Sequence, residues 1–230
     1  MCVVPLAHPA TASGQACVDP NAVRAGGSVG ISVARYSYAT AFSVSAAIGS
    51  RWRGSVSVGT TRDRDLRVSA TTLGADLLRV VQLGGTGRFQ LCPQLGFAAE
   101  FGPRYELLTP DDDVRKTAWS AGLQGRLALH RTTAIHLSIT GSYRVWRMTS
   151  RYDHLGVRLR EVTDTYSTLR AGVSITYRRW LTLTPEIGTT QGLIPPDRGQ
   201  DEAAPFGHES GETSLSLSLA IALGKRVAAH

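Results

Sequence analysis

The sequence predicts an all-β chain folded as a single antiparallel up-and-down transmembrane β-barrel, most simply of ten strands, with eight as the alternative. Three observations predict it. Strand-length stretches alternate strictly between apolar and small polar residues, connections alternate between short and long, and aromatic residues gather at the strand ends.

The alternation is clearest over residues 118–147. Trp119, Ala121, Leu123, Gly125, Leu127 and Leu129 interleave with Ser120, Gly122, Gln124, Arg126, Ala128 and His130. After a turn at 131–133, Ile135, Leu137, Ile139, Gly141, Tyr143 and Val145 interleave with His136, Ser138, Thr140, Ser142 and Arg144. A period of two sustained this long describes two antiparallel strands and a tight turn. The interior of an α/β sheet would be apolar on both faces instead.

Composition narrows the class. The 230 residues, 42% hydrophobic, suffice for one folded domain and exclude a disordered chain. No apolar run approaches the ~18 residues of a membrane-spanning helix, but barrel strands alternate and escape such a search. The net charge of +7 comes almost wholly from arginine, since Lys116 and Lys225 are the only lysines. The arginines are scattered and form no tract with interleaved aromatics, so no nucleic-acid partner is expected. Arginine also suits carboxylates and lipid phosphates. The polar faces carry Ser, Thr, Gly and Ala where a soluble sheet would carry Lys and Glu.

In order along the chain, residues 1–16 are apolar and small, like a signal peptide that has lost its charged start. Residues 17–27 are expected as a periplasmic N-terminal segment, 28–225 as the barrel and 226–230 as a C-terminal tail. Cys17 and Cys92 are a candidate disulfide in an oxidising compartment; a free buried thiol at Cys92 is the other reading. The first strands alternate around Val29, Ile31 and Val33, then Phe42, Val44 and Ala46, then Val56 and Val58. Residues 66–81 read as a strand of open register, because Leu77 and Leu78 fall on opposite faces. The GGTG at 84–87 is a turn and not a phosphate loop, since no helix pattern follows it.

In the strand 89–101, Pro93 predicts a bulge or a missing ladder bond. Later strands alternate around Leu169 to Tyr177, Leu181 to Ile187 and Leu215 to Leu223. Short turns fall at 51–53, 84–87, 131–133 and 178–180. Charged loops fall at 60–66, 102–117, 150–165 and 189–212. This asymmetry matches short periplasmic turns and long external loops, with both termini on the short-turn side.

The small-residue face suits the crowded lumen of a narrow barrel, and the Leu, Ile and Val face suits lipid. Trp52, Phe89, Tyr177 and Trp180 form the expected girdle near the short turns; Tyr36, Tyr38, Phe101, Trp119 and Trp146 form the other. With these features the chain resembles the small outer-membrane β-barrels of Gram-negative bacteria, the OmpA-like and opacity-like group, over about 27–225. The resemblance implies lipid and lipopolysaccharide as neighbours, the barrel-assembly machinery as a partner, and a monomer. The last strand departs from that group in lacking a closing aromatic residue.

Glu100, Arg126, Arg144, Arg170 and Glu186 have lumen parity, and charges inside a narrow barrel must pair or meet water. They are expected to form one central ion-pair network that plugs the lumen. The expected role is structural, or surface interaction through the external loops with an unnamed ligand. The alternative is a narrow pore for small solutes. Some related ten-stranded barrels are proteases, and Asp111, Asp112, Asp113, Asp153 and His154 are the only comparable rim groups here. A solvated acidic loop accounts for them better, so no catalytic residue is assigned. His130 and His136 share inward parity but are two ligands without a third, so neither metal nor cofactor is expected.

Overall fold

A computed structural model describes residues 17, 25–34, 37–48, 51–63, 69–84, 88–101, 112–132, 134–178, 180–193 and 212–223. The expected leader 1–16, Tyr36, Asp111 and the tail 226–230 lie outside the described residues. The strands are β1 (Ala25–Ala34), β2 (Ser37–Ile48), β3 (Trp52–Asp63), β4 (Ser69–Arg79 continuing as Val81–Leu83) and β5 (Phe89–Phe101). They continue as β6 (Asp112–Arg131), β7 (Ile135–His154), β8 (Val157–Tyr177), β9 (Leu181–Leu193) and β10 (Glu212–Leu223).

Each strand pairs antiparallel with its neighbour in sequence, and β1 pairs with β10 from Ala25↔Leu223 to Ala34↔Ser214. The sheet is therefore a closed barrel of ten strands. Closure leaves no edge, which is the condition a sheet must meet to sit in hydrocarbon. No helix among the described residues is long and apolar enough to cross a membrane.

The faces follow the alternation. Val29, Ile31, Phe42, Val56, Leu95, Leu123, Ile139, Leu169, Ile187 and Leu217 point out and are exposed. Ser28, Ser43, Thr72, Gln94, Gln124, Ser138, Ser174, Thr184 and Ser218 point in and are buried. An apolar belt this continuous would be a liability in water, and in a bilayer it is the stabilising surface. The open register of β4 resolves with Leu77 outward and Leu78 buried in the lumen.

Both strand prolines break a ladder without shifting register. The β4–β5 pairing runs to Leu78↔Gln94 and resumes at Val81↔Leu91, so the missing rungs face Cys92 and Pro93. The β8–β9 pairing likewise passes from Leu183↔Ile175 to Glu186↔Gly172, skipping Pro185. Proline has no N–H to give, and the strand continues past it. That absence splits β4 into two collinear pieces.

The outer connections differ most from the sequence reading. The expected loop at 150–165 is a continuation of the β7–β8 hairpin, turning at Leu155 (φ 50°) and Gly156 (φ 77°). Two successive positive φ values are what tight two-residue hairpin turns use. Part of the expected 102–117 loop is also strand, since β6 starts at Asp112. Strands β6, β7 and β8 run 20, 20 and 21 residues, about twice the ~9–11 needed to span a bilayer. Beyond the membrane both faces meet water, so the ladder continues without any apolar alternation to announce it.

At the other end β1 begins at Ala25, three residues before the expected barrel start, because Gly26 and Gly27 join the ladder opposite Ala222 and Ile221. Both ends of the sheet, Ala25 and Leu223, lie at the short-turn rim.

One substitution tests the orientation of the faces. Leu217→Arg, mid-strand on the outer face of β10, is expected to destabilise the folded barrel by about 2–4 kcal/mol. Ser216→Ala on the inner face should change it by much less. Denaturant unfolding in lipid vesicles measures both.

The lumen as candidate functional site

The pairing registers arrange the inward residues of β4 to β7 in rows. Nearest the long-loop end lies Thr72–Glu100–Lys116–Ser150, followed by Gly74–Ala98–Ala118–Met148. Next come Asp76–Gly96–Ser120–Trp146 and Leu78–Gln94–Gly122–Arg144. Each row meets different chemistry.

In the first row Lys116 Nζ lies 3.0 Å from Glu100 Oε1, and both side chains are buried. Between the second and third rows is an apolar layer of Ala98, Ala118, Met148, Trp146 and Tyr166. Trp146 and Tyr166 stack with centroids 6.1 Å apart, and the Arg144 guanidinium sits 4.9 Å from the Trp146 ring.

Below this layer Arg144 Nη2 lies 2.9 Å from Asp76 Oδ1 and donates to Gln94 Oε1 at 2.7 Å. This pair joins β7 to β4 across two intervening strands. It can do so because, beside Gln94, those strands present Gly96, Ser120 and Gly122 beneath it. A Cβ on Gly96 would fall 2.7 Å from Ser120 Oγ and also meet Asp76 Oδ1, and one on Gly122 would fall 2.9 Å from Arg144 Cα.

The same exchange of volume recurs on β8 and β9. Arg170 lies opposite Gly188 and Glu186 opposite Gly172, so the two charges are diagonal neighbours that attract one another. A Cβ on Gly172 would fall 2.6 Å from Glu186 Cγ. Arg144, Arg170 and Glu186 thus each occupy space that a glycine leaves empty.

At the short-turn end Cys17 and Cys92 form a disulfide packed with Leu78 and Val80. Arg126 donates from Nε to Ser138 Oγ at 3.0 Å and reaches the Cys17 carbonyl from Nη1 at 3.5 Å. Cys17, expected in a periplasmic segment, is therefore inside the barrel mouth.

The five lumen charges expected from the sequence all have inward positions. Their contacts include Glu100 with Lys116, Arg144 with Asp76, Arg170 diagonal to Glu186, and Arg126 with Ser138 Oγ. Asp76 and Lys116 escaped the sequence reading, along with Arg53, which is also buried. Asp76 sat in the strand of open register and Lys116 in a presumed loop. The run Thr72, Gly74, Asp76 alternating with Leu73, Ala75, Leu77 was the signal for the first.

Trp146 requires a correction. It is 4% exposed and faces the lumen, whereas Trp119, on the neighbouring strand, is 67% exposed. Its inward parity follows from Arg144 and Ser142, and parity prevails over an aromatic's preference for the membrane interface. Trp52, Phe89, Tyr177 and Trp180 lie exposed at the short-turn rim, with Phe101 and Trp119 toward the long-loop rim. Arg79 and Arg178 lie over Trp52 and Tyr177 at 5.8 and 5.3 Å. Tyr38 sits on the outer face of β2, where its hydroxyl lies 3.5 Å from Arg62 Nη1.

The expected shared face of His130 and His136 is also lost. A register shift between Ala128 and His130 pairs His130 with Leu137, leaving it exposed, while His136 keeps inward parity. At the rim, Asp112 is register partner to His154, and Asp113 to Asp153. The Asp153 carboxylate is engaged by Arg151 Nε at 2.8 Å.

A closed barrel with an apolar outer belt, aromatic rims and a lumen filled by polar side chains is a transmembrane β-barrel. Solved structures similar to it are outer-membrane barrels. The translocator domain of autotransporter NalP from Neisseria meningitidis superposes with TM-score 0.49 at 12% identity, over 92% of this chain and 91% of that one. The β domain of the Bordetella autotransporter BrkA gives TM-score 0.48 at 13% identity, over 88% and 100%. The KdgM porin in complex with disordered oligogalacturonate gives 0.41 at 8% identity, over 86% and 99%. No protein-family model and no curated protein matches the sequence.

Two predictions follow from the lumen geometry. Asp76→Ala strands the Arg144 charge and is expected to cost about 3 kcal/mol of stability, whereas Asp76→Ala with Arg144→Met recovers most of it. Denaturant unfolding of the two variants in vesicles decides the point. Unreduced digestion followed by mass spectrometry is expected to yield the Cys17 and Cys92 peptides joined, and separate after reduction.

Proposed function

We propose that the protein is an integral outer-membrane barrel with a closed lumen, serving a structural or surface-interaction role through its long-loop rim. The observation that carries this reading is the layering of the interior. The Lys116–Glu100 pair, the Trp146–Tyr166–Met148 layer, the Arg144–Asp76 bridge and the Cys17–Cys92 cluster succeed one another along the axis. The Arg144–Asp76 bridge crosses two strands and the other groups fill the lumen above and below it, so a solute would have to displace several buried side chains in turn.

In this reading the short turns and both ends of the sheet face the periplasm, and the extended β6–β8 strands project outside. The Cys17–Cys92 bond belongs to an oxidising compartment. The protein stands as a monomer surrounded by outer-membrane lipid and is inserted by the barrel-assembly machinery. Asp153 at that rim serves the fold, its carboxylate being engaged by Arg151.

Planar-bilayer recording tests the closed lumen. Purified wild-type protein is expected to give no steady conductance. An Arg144→Gly/Trp146→Gly double variant, checked for folding by its unboiled gel mobility, is expected to open channels. Large, stable, salt-proportional channels from wild-type protein would replace the plug with the narrow-pore reading.

A further inference from the structure

The Cys17–Cys92 bond lies inside the wall that it ties together. Cys92 faces the lumen from β5 and is 0% exposed, and Cys17 is 1% exposed. Leu78 and Val80 of β4 pack on the pair. On the β6 side, Cys17 Sγ lies 3.8 Å from the Gln124 carbonyl oxygen, and Arg126 Nη1 reaches the Cys17 carbonyl at 3.5 Å. Both sulfurs are therefore approached only from within a ten-stranded barrel. Such an interior is just wide enough for its own side chains.

That position restricts how the bond can be made. Joining two thiols releases two protons and two electrons, and a protein disulfide is an oxidant that accepts both. One cysteine thiolate attacks the oxidant's disulfide, which forms a mixed disulfide and releases one oxidant thiolate. The second cysteine thiolate attacks the chain's own sulfur in that mixed disulfide, which closes Cys17–Cys92 and releases the oxidant as a dithiol. The second attack is in line, so the attacking, central and leaving sulfurs share one axis. A protein on the leaving sulfur would have to stand in the lumen among Leu78, Val80 and Gln124, all of them buried.

The order of strand pairing decides when that obstacle arises. Cys17 and Cys92 are 75 residues apart and flank β1 to β4. Until β1 meets β10 the sheet is open, and a folded oxidant can reach both thiols. Once the ladder from Ala25↔Leu223 to Ala34↔Ser214 has formed, the wall is complete.

We propose that the Cys17–Cys92 bond is made by a protein disulfide oxidase before the barrel closes. The unclosed chain is the oxidase's substrate and the closed barrel is not. The same burial excludes a dithiol reductase, so the finished barrel keeps its bond. The oxidising compartment rests on the orientation proposed above, whereas the order of events rests on the barrel alone.

To test the order, wild-type chain is folded from denaturant into detergent under reductant, and closure is read from its unboiled gel mobility. After the reductant is removed under nitrogen, an oxidised thioredoxin-fold disulfide oxidase is added to this barrel and, in parallel, to the reduced unfolded chain. Mass spectrometry of unreduced digests is expected to find the Cys17 and Cys92 peptides joined in the unfolded sample and not in the barrel. If the reduced chain never gains the barrel mobility while the oxidised chain does, closure requires the bond and the order stands. Joined peptides from the closed barrel overturn it, as does an unfolded chain that the oxidase leaves unjoined. The Cys2→Ser chain is run alongside. Joining in the closed wild-type barrel that is lost in Cys2→Ser would assign the bond to exchange from Cys2 after closure, which also overturns the order. Each of these failures removes only the order of events, because bilayer recording decides the closed lumen independently.

Discussion

The Arg144–Asp76 bridge is the contact on which the interior depends. It crosses from β7 to β4, 2.9 Å between charged atoms, and could not close over ordinary side chains. Gly96 and Gly122 make the path, and Gln94 accepts a further guanidinium hydrogen bond. A ten-stranded barrel has room for little more than its own side chains. Arg144 is accommodated by omissions beside it, and Arg170 and Glu186 likewise face glycines. Removing one charge leaves the other desolvated, so the pair is costly to break even where its net contribution is small.

The two rims divide the remaining work. At the short-turn end, the disulfide, Leu78 and Val80 pack together inside the mouth, while arginines outside lie over individual rings. At the other end, β6, β7 and β8 run to about twice the length that a bilayer requires. A stretch that leaves lipid is freed from the alternation that lipid imposes. Its residues are then available for charge pairs such as Arg158–Glu161.

The inner and outer faces were legible because a period of two has one physical meaning in a half-buried strand. Pro93 was legible for a similar reason, since its absent N–H removes rungs in any sheet, and Pro185 shows the same effect in the structure. Trp146 was misread because aromatic preference was allowed to outweigh parity. Asp76 was missed because Leu77 and Leu78 blurred its strand, and Lys116 because a ladder in water has no apolar stripe to mark it.

The sequence by itself determined an antiparallel barrel, its strand number, its short-turn and long-loop ends, and the inward parity of Glu100, Arg126, Arg144, Arg170 and Glu186. All of these follow from local alternation and turn chemistry along the chain. Only the tertiary structure decided which charges meet. Arg144 finds Asp76 from three strands away, Lys116 finds Glu100, and Cys17 finds Cys92 across 75 residues of chain. Those partnerships depend on register and closure around the barrel, and the bulge at Ala128/His130 shows how one added residue moves a side chain to the other face.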